Sequence, residues 1–218
     1  MRLYLASTSP ARLQTLRAAG IEPIAIAPGV DEEAVVTARE AETGPLGASD
    51  MVQLLAQAKA EAIVGRTHDG EPIDGLILGG DSAFLTGGAI HGKPHRPDVA
   101  RARWLAQNGG HGDLWSGHWL IDHREGAVHG AVGRADVATV RFAALDDAEI
   151  DAYVATGEPL LVAGAFTIDS LGGPFIRRVE SDRPTTVDGS PSTRRMNGPP
   201  RLSIVNAPAT SSGSPVAM

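Results

Sequence analysis

The sequence predicts an α/β protein, and three stretches carry that prediction. Residues 2–6, rich in strand formers, run into L-A-S-T-S-P-A-R (residues 5–12), after which Leu13, Leu16 and Ala19 recur at helical spacing until Gly20. Gly75-Leu76-Ile77-Leu78 is a continuous apolar run, the pattern of a strand covered on both faces. Residues 111–122 and 127–142 alternate, with Ala138, Val140 and Phe142 on one face, which predicts long antiparallel strands.

Taken in order, the first unit is strand, turn and helix. Ser9 suits a helix N-cap and Pro10 the first helical position, so the helix start presents unpaired N–H groups. Arg12 then sits in the first turn, where a cation opposes the helix dipole. A bound anion would remove that conflict, and a solvated arginine on a plain capped helix is the alternative. Residues 23–27 read as a second strand, followed by Val30 and the acidic run Asp31-Glu32-Glu33, a solvated loop unless one carboxylate holds a hard metal. Residues 37–48 show no clear period and read as a loop or frayed helix.

The spacing of Asp50 and Gln53 predicts a capping box, opening a helix that Gly65 closes. Its apolar stripe contains Met51, Val52, Leu55, Ala58, Ala62 and Ile63, and Lys59 falls inside that stripe. A buried ammonium is costly without an anion, so Lys59 either snorkels out or reaches a negative partner. Gly79-Gly80-Asp81-Ser82 reads as the turn ending the apolar strand, placing a carboxylate where ligands of open α/β sheets collect. Lys93, between Gly92 and Pro94, sits in a stiff loop that either presents an ammonium or leaves it solvated. Residues 97–107 read as a helix with Val99, Ala102 and Leu105 in register, and residues 146–155 as another. Residues 159–176 are apolar with bends at Gly164, Gly172 and Gly173. From residue 181 to 218, Pro, Ser, Thr, Gly and Arg dominate without period, a composition that predicts a disordered tail.

Composition narrows the function. The 218 residues carry a net charge of −7, which argues against holding long nucleic acid by its phosphates. No apolar run approaches a membrane span and no cleavable leader is visible, so the expected compartment is the cytoplasm. There is no cysteine, and the seven histidines lack zinc spacing. The usual P-loop, dinucleotide and hydrolase signatures are absent. Lys59 and Lys93 are the only lysines among the 19 basic residues.

The ordered motifs carry a resemblance. S-T-S-P-A-R, V-D-E (residues 30–32), A-x-A-K-A around Lys59, G-G-D-S, H-G-K-P (residues 91–94), D-D-A-E-I-D-A-Y-V-A-T-G-E-P (residues 146–159) and V-A-G-A-F-T-I-D (residues 162–169) follow the order of the Maf-like nucleoside triphosphate pyrophosphatases. Residues 1–180 resemble that domain. The resemblance implies an elongated two-lobed mixed sheet with flanking helices, similar to the inosine triphosphatase architecture, with a cleft between the lobes and often a homodimer. It implies cleavage of a nucleoside triphosphate between the α and β phosphates, giving the monophosphate and pyrophosphate, as house-cleaning of pyrimidine or modified nucleotides. Ser7, Arg12, Lys59 and Lys93 would bind the triphosphate, Glu32 and Asp81 would hold Mg²⁺ or Mn²⁺, and Asp81 would act as general base. Ser82 either bonds a phosphate or closes a turn, and the turn is the favoured role.

Four departures stand out. Ala11 replaces the first of two arginines, and Leu161-Val162-Ala163-Gly164 replaces a D-K-A-G. Asp169 occupies the base-reading position, where an ionised carboxylate suits a base edge that donates, such as guanine, uracil or thymine. The family's closing segment and helix survive only as an echo at Asp182, Val187 and Gly189, which suggests a shifted reading frame or a diverged end. That ending motivates an alternative, a nucleotide-binding regulatory protein with little turnover.

Overall fold

The computed structural model describes residues 1–181; Ser181, where the predicted tail begins, still belongs to a strand, and the rest of that tail and the altered C-terminal end lie outside the described residues. The first unit is β1 (Leu3–Ala6) leading into α1 (Pro10–Ala18). Pro10 takes the first helical position as expected, but the Ser9 side chain caps nothing; Ser9 N–H instead donates to Ser7 Oγ at 3.1 Å. β2 (Ile24–Ile26) follows.

The acidic run is not a loop. Asp31 caps α2 (Glu32–Thr43) by accepting from Ala34 N–H, and Glu32 and Glu33 form its first turn, where carboxylates complement the helix dipole. The helix buries no residue, which explains why residues 37–43 show no apolar period. α3 (Ala48–Glu61) starts at Gly47, so Asp50 lies inside the first turn and makes no capping box; Gln53 reaches the His118 carbonyl instead.

A small hairpin, β3 (Thr67–His68) and β4 (Glu71–Pro72), precedes β5 (Gly75–Thr86). The expected turn at residues 79–82 is absent, because β5 continues as strand to Thr86. Then come β6 (Ala89–His91), α4 (Pro97–Gln107), β7 (His111–Arg124), β8 (Ala127–Phe142), α5 (Asp147–Ala155) and β9 (Ile176–Ser181). Asp146 and Glu149 form a reciprocal capping box at α5.

The main sheet is mixed. Its order is β2-β1-β5-β7-β8-β9, with β6 also on β5; β1 is parallel to both β2 and β5, and the other pairs are antiparallel. Two separate cores lie along it. Tyr4, Ala6, Ala60, Ile63, Ile73, Ile77 and Ile121 form one under α3. Phe84, Trp104, Phe142, Tyr153, Phe166 and Phe175 are the aromatic members of the other, between the far end of the sheet and α4 and α5. These are the two lobes, and Asp81 lies on β5 between Ile77 and Phe84.

α4 spans the predicted residues but turns a different face inward. Ala100, Trp104 and Gln107 are buried, while Ala102 and Leu105 are exposed. Trp104 has the most apolar area to bury, packs edge-on against Phe142 and Tyr153, and donates its indole N–H to the Ala165 carbonyl at 2.7 Å. Gln107 is tolerated inside because its amide reaches the Gly164 carbonyl.

Candidate active site

The centre of the site follows from how closely α3 approaches the sheet. A Cβ on Gly79 would lie 2.0 Å from the Ala56 carbonyl oxygen, and one on Gly117 would lie 2.2 Å from that of Val52. Glycines on two adjacent strands thus let the helix backbone rest on the sheet, with Asp81 directly opposite Gly117. That approach delivers Lys59 to Asp81: Nζ donates to Asp81 Oδ1 at 2.6 Å and lies 2.8 Å from Glu32 Oε1. The ammonium is 9% exposed, the Asp81 side chain 12% and the Glu32 side chain 50%. Lys59 therefore does not snorkel; its anionic partners come from the chain itself.

Burial raises the Asp81 pKa above the ordinary aspartate value, although Lys59 opposes the shift by charge and hydrogen bond. Glu32 adds to the rise and Arg12 works against it. Arg12 is felt there because it occupies the other side of the same strand. Its guanidinium donates to Ser7 Oγ at 3.1 Å and to Ser82 Oγ at 2.9 Å. Gly80 makes room, since a Cβ there would lie 2.9 Å from Arg12 Nε. Burial lowers the Arg12 pKa, and the charges of Asp81 and Glu32 counter it.

Ser82 is thus a strand residue holding an arginine, not a turn former, and its hydroxyl lies 3.4 Å from that of Ser116. Alternation along β5 points Asp81 to the α3 face and Ser82 to the Arg12 face.

The register reveals why this stretch is open. β1 pairs with β5 only as far as Ala6 opposite Gly79, and β6 pairs from His91 opposite Phe84. β7 covers the other edge of β5, so among the described residues 80–83 have no strand partner on the β1 side. Ser7 and Arg12 enter this gap from the end of β1, and Gly92 and Lys93 follow directly from the end of β6. Lys93 is exposed and makes no hydrogen bond or ion pair among the described residues. Asp169 is likewise exposed and unbonded among the described residues, in the turn-rich segment after the short 3₁₀ turn Ala163–Ala165. Of the six side chains nominated from the sequence for phosphate and metal, Glu32, Lys59 and Asp81 meet on one face of β5, and Ser7 and Arg12 meet on the other. Lys93 stands at the rim.

Two neighbours were not foreseen. Ser116 and His118 on β7 face Ser82 and Gly80, and burial, helped by the charge of Arg12, lowers the His118 pKa. Nothing in their local sequence marks them, because only the cross-strand register brings them to Arg12.

A family model described as Maf-like protein matches residues 2–196. The chain belongs to the Maf-like protein family. Among its relatives, a protein named nucleoside triphosphate pyrophosphatase from Leifsonia xyli subsp. xyli is 68% identical over 195 residues, covering 89% of this chain and 90% of the relative. One of the same name from Rhodococcus jostii is 46% identical over 193 residues, covering 88% and 89%. A third, from Saccharopolyspora erythraea, is 42% identical over 220 residues and matches both chains over their full length. Among the described residues no helix is long and apolar enough to cross a membrane.

Proposed function

We propose that this Maf-like chain hydrolyses a nucleoside triphosphate to the monophosphate and pyrophosphate, clearing non-standard or pyrimidine nucleotides. The observation that carries the reading is the break in the β5 edge at residues 80–83, where an arginine, a buried lysine and two carboxylates converge. Relatives at up to 68% identity bear the name of that activity.

A triphosphate lying along the gap meets Arg12 from one face of β5 and Lys59 from the other, with Lys93 reaching in from the rim. Arg12 is already oriented by Ser7 and Ser82, so its planar fork is preorganised for phosphate oxygens. Lys59 offsets the charge that Asp81 and Glu32 would otherwise set against a polyanion. Asp81 accepts the proton of the attacking water as the new P–O bond forms. The oxygen bridging the α and β phosphates departs with the electron pair.

The acids suit a divalent cation. They are two carboxylates gathered on one ammonium, and Asp81 Oδ2 and Glu32 Oε2 accept no hydrogen bond among the described residues. No group of three or more histidine, cysteine or acidic ligands occurs among the described residues, so phosphate oxygens and waters would complete the shell, as Mg²⁺ or Mn²⁺ prefers. Such a cation would neutralise charge developing on the phosphates. Asp169 would read the base by accepting from a donating edge. Residues 1–180 would carry the activity, in the cytoplasm and as a homodimer.

A panel of natural and modified triphosphates assayed with Mg²⁺ and with Mn²⁺ tests the reading. Release of pyrophosphate is the expected result. Orthophosphate release would reassign the chain as a phosphatase, and binding without turnover would favour the regulatory role.

A further inference from the structure

The Asp169 segment has little to hold it. It joins the turn Ala163–Ala165 to the turn Gly173–Phe175, and its own backbone bonding includes Gly173 N–H to the Ser170 carbonyl at 2.9 Å. Most of the side-chain hydrogen bonds to it come from one residue. Gly157 ends α5 in the left-handed conformation, φ 78°, and turns the chain so that Glu158 faces this segment. Glu158 Oε1 accepts from Tyr153 Oη at 2.9 Å, Thr167 Oγ1 at 2.5 Å and Gly172 N–H at 3.1 Å. Its Oε2 accepts from Ser170 Oγ at 2.5 Å and Leu171 N–H at 3.3 Å.

Four of those five donors lie between residues 167 and 172, on both sides of Asp169. The fifth, Tyr153, is buried in the aromatic core against Trp104 and Phe175. Thr167 Oγ1 also accepts from Gly172 N–H at 3.0 Å, closing the segment on itself. Gly172 fits only without a side chain, since a Cβ would lie 2.5 Å from Tyr153 Oη. Burial works to raise the Glu158 pKa, and the donors from Ser170, Thr167 and Tyr153 outweigh it, so the carboxyl sits below its ordinary value.

We infer that Glu158 is a positioning residue for base selection: its ionised carboxylate clasps the 167–172 segment to the aromatic core and so sets where Asp169 presents its acceptor oxygens. This rests on the proposal that Asp169 reads the base. An ionised carboxylate supplies acceptors only, which all five donors require. Glu158→Gln would put an amide NH₂ against either the Leu171 or the Gly172 N–H, setting donor against donor.

The test measures kcat and KM for a preferred and a disfavoured triphosphate in wild type, Glu158→Gln, Asp169→Asn and the double variant. The expected result is a fall in discrimination on the order of ten- to hundredfold for Glu158→Gln. It is carried by KM for the preferred substrate, with kcat changed by no more than a few fold. In the Asp169→Asn background the same substitution should add nothing. Thr167→Ser should keep discrimination and Thr167→Val should lose it, and this pair serves if Glu158→Gln does not fold. Unchanged discrimination in Asp169→Asn overturns the base-reading proposal. Altered discrimination there with none in Glu158→Gln or Thr167→Val overturns the role of Glu158, as do independent, additive effects in the double variant.

Discussion

The two ends of this molecule hold their functional groups in opposite ways. At the β1–β5 end, Lys59 and Asp81 project from a helix and a strand pressed together over glycines, and both are almost wholly buried. At the far end, Asp169 is exposed on a loop that the Glu158 carboxylate holds. The difference matches the two tasks proposed for these groups. Charges that act on a phosphoryl centre gain from a dry, rigid setting that raises their mutual influence. Groups that meet a variable base lie on loops positioned by a rigid scaffold.

The comparison breaks first at the buried end. Asp81→Asn should lower pyrophosphate release by about 10²- to 10⁴-fold while nucleotide binding stays measurable. Near-normal turnover in that variant would overturn the proposal that Asp81 is the base. Next, Lys59→Met leaves Asp81 buried without its ammonium and should cost about 3 kcal/mol of stability, read from the denaturant midpoint. Adding Asp81→Asn to Lys59→Met should recover much of that loss without restoring activity.

Arg12→Lys keeps the charge but cannot bond Ser7 and Ser82 together as the fork does; an activity drop of about tenfold is expected, mostly in KM. An unchanged KM would mean that Arg12 does not touch substrate. The smallest effect belongs to the exposed end. Because the fold lowers the Glu158 pKa, its contribution to stability is present above the ordinary glutamate range and is lost as pH falls through the lowered value. Melting curves of wild type and Glu158→Gln should therefore differ most near neutrality and converge in acid; a gap that widens in acid would contradict the sign.

Much of this was legible locally. Pro10 at the start of α1, the span of α4 and the pairing of β7 with β8 all follow from patterns within a few turns of chain. Ser7, Arg12, Glu32, Lys59 and Asp81 were each nominated from motif order or from a charge in an awkward place. Other features were misread for physical reasons. Gly79-Gly80 looks like a turn because glycine permits one, yet here the pair thins the strand so that α3 can rest on one face and Arg12 on the other. The acidic run reads as a loop because charge runs after a strand are usually solvated, yet here it caps and opens α2, where carboxylates complement the helix dipole.

The identity of the charged groups and the order of most elements were settled by the sequence, since capping, periodicity and composition act between residues close along the chain. Which charges meet was decided only by the tertiary structure. Lys59 finds Asp81 and Glu32, Arg12 finds Ser82, Trp104 outranks Leu105 for the inside of α4, and Glu158 gathers the segment around Asp169. Each of these pairings depends on strand register and helix–sheet distance, and those are fixed by packing between parts of the chain far apart in sequence.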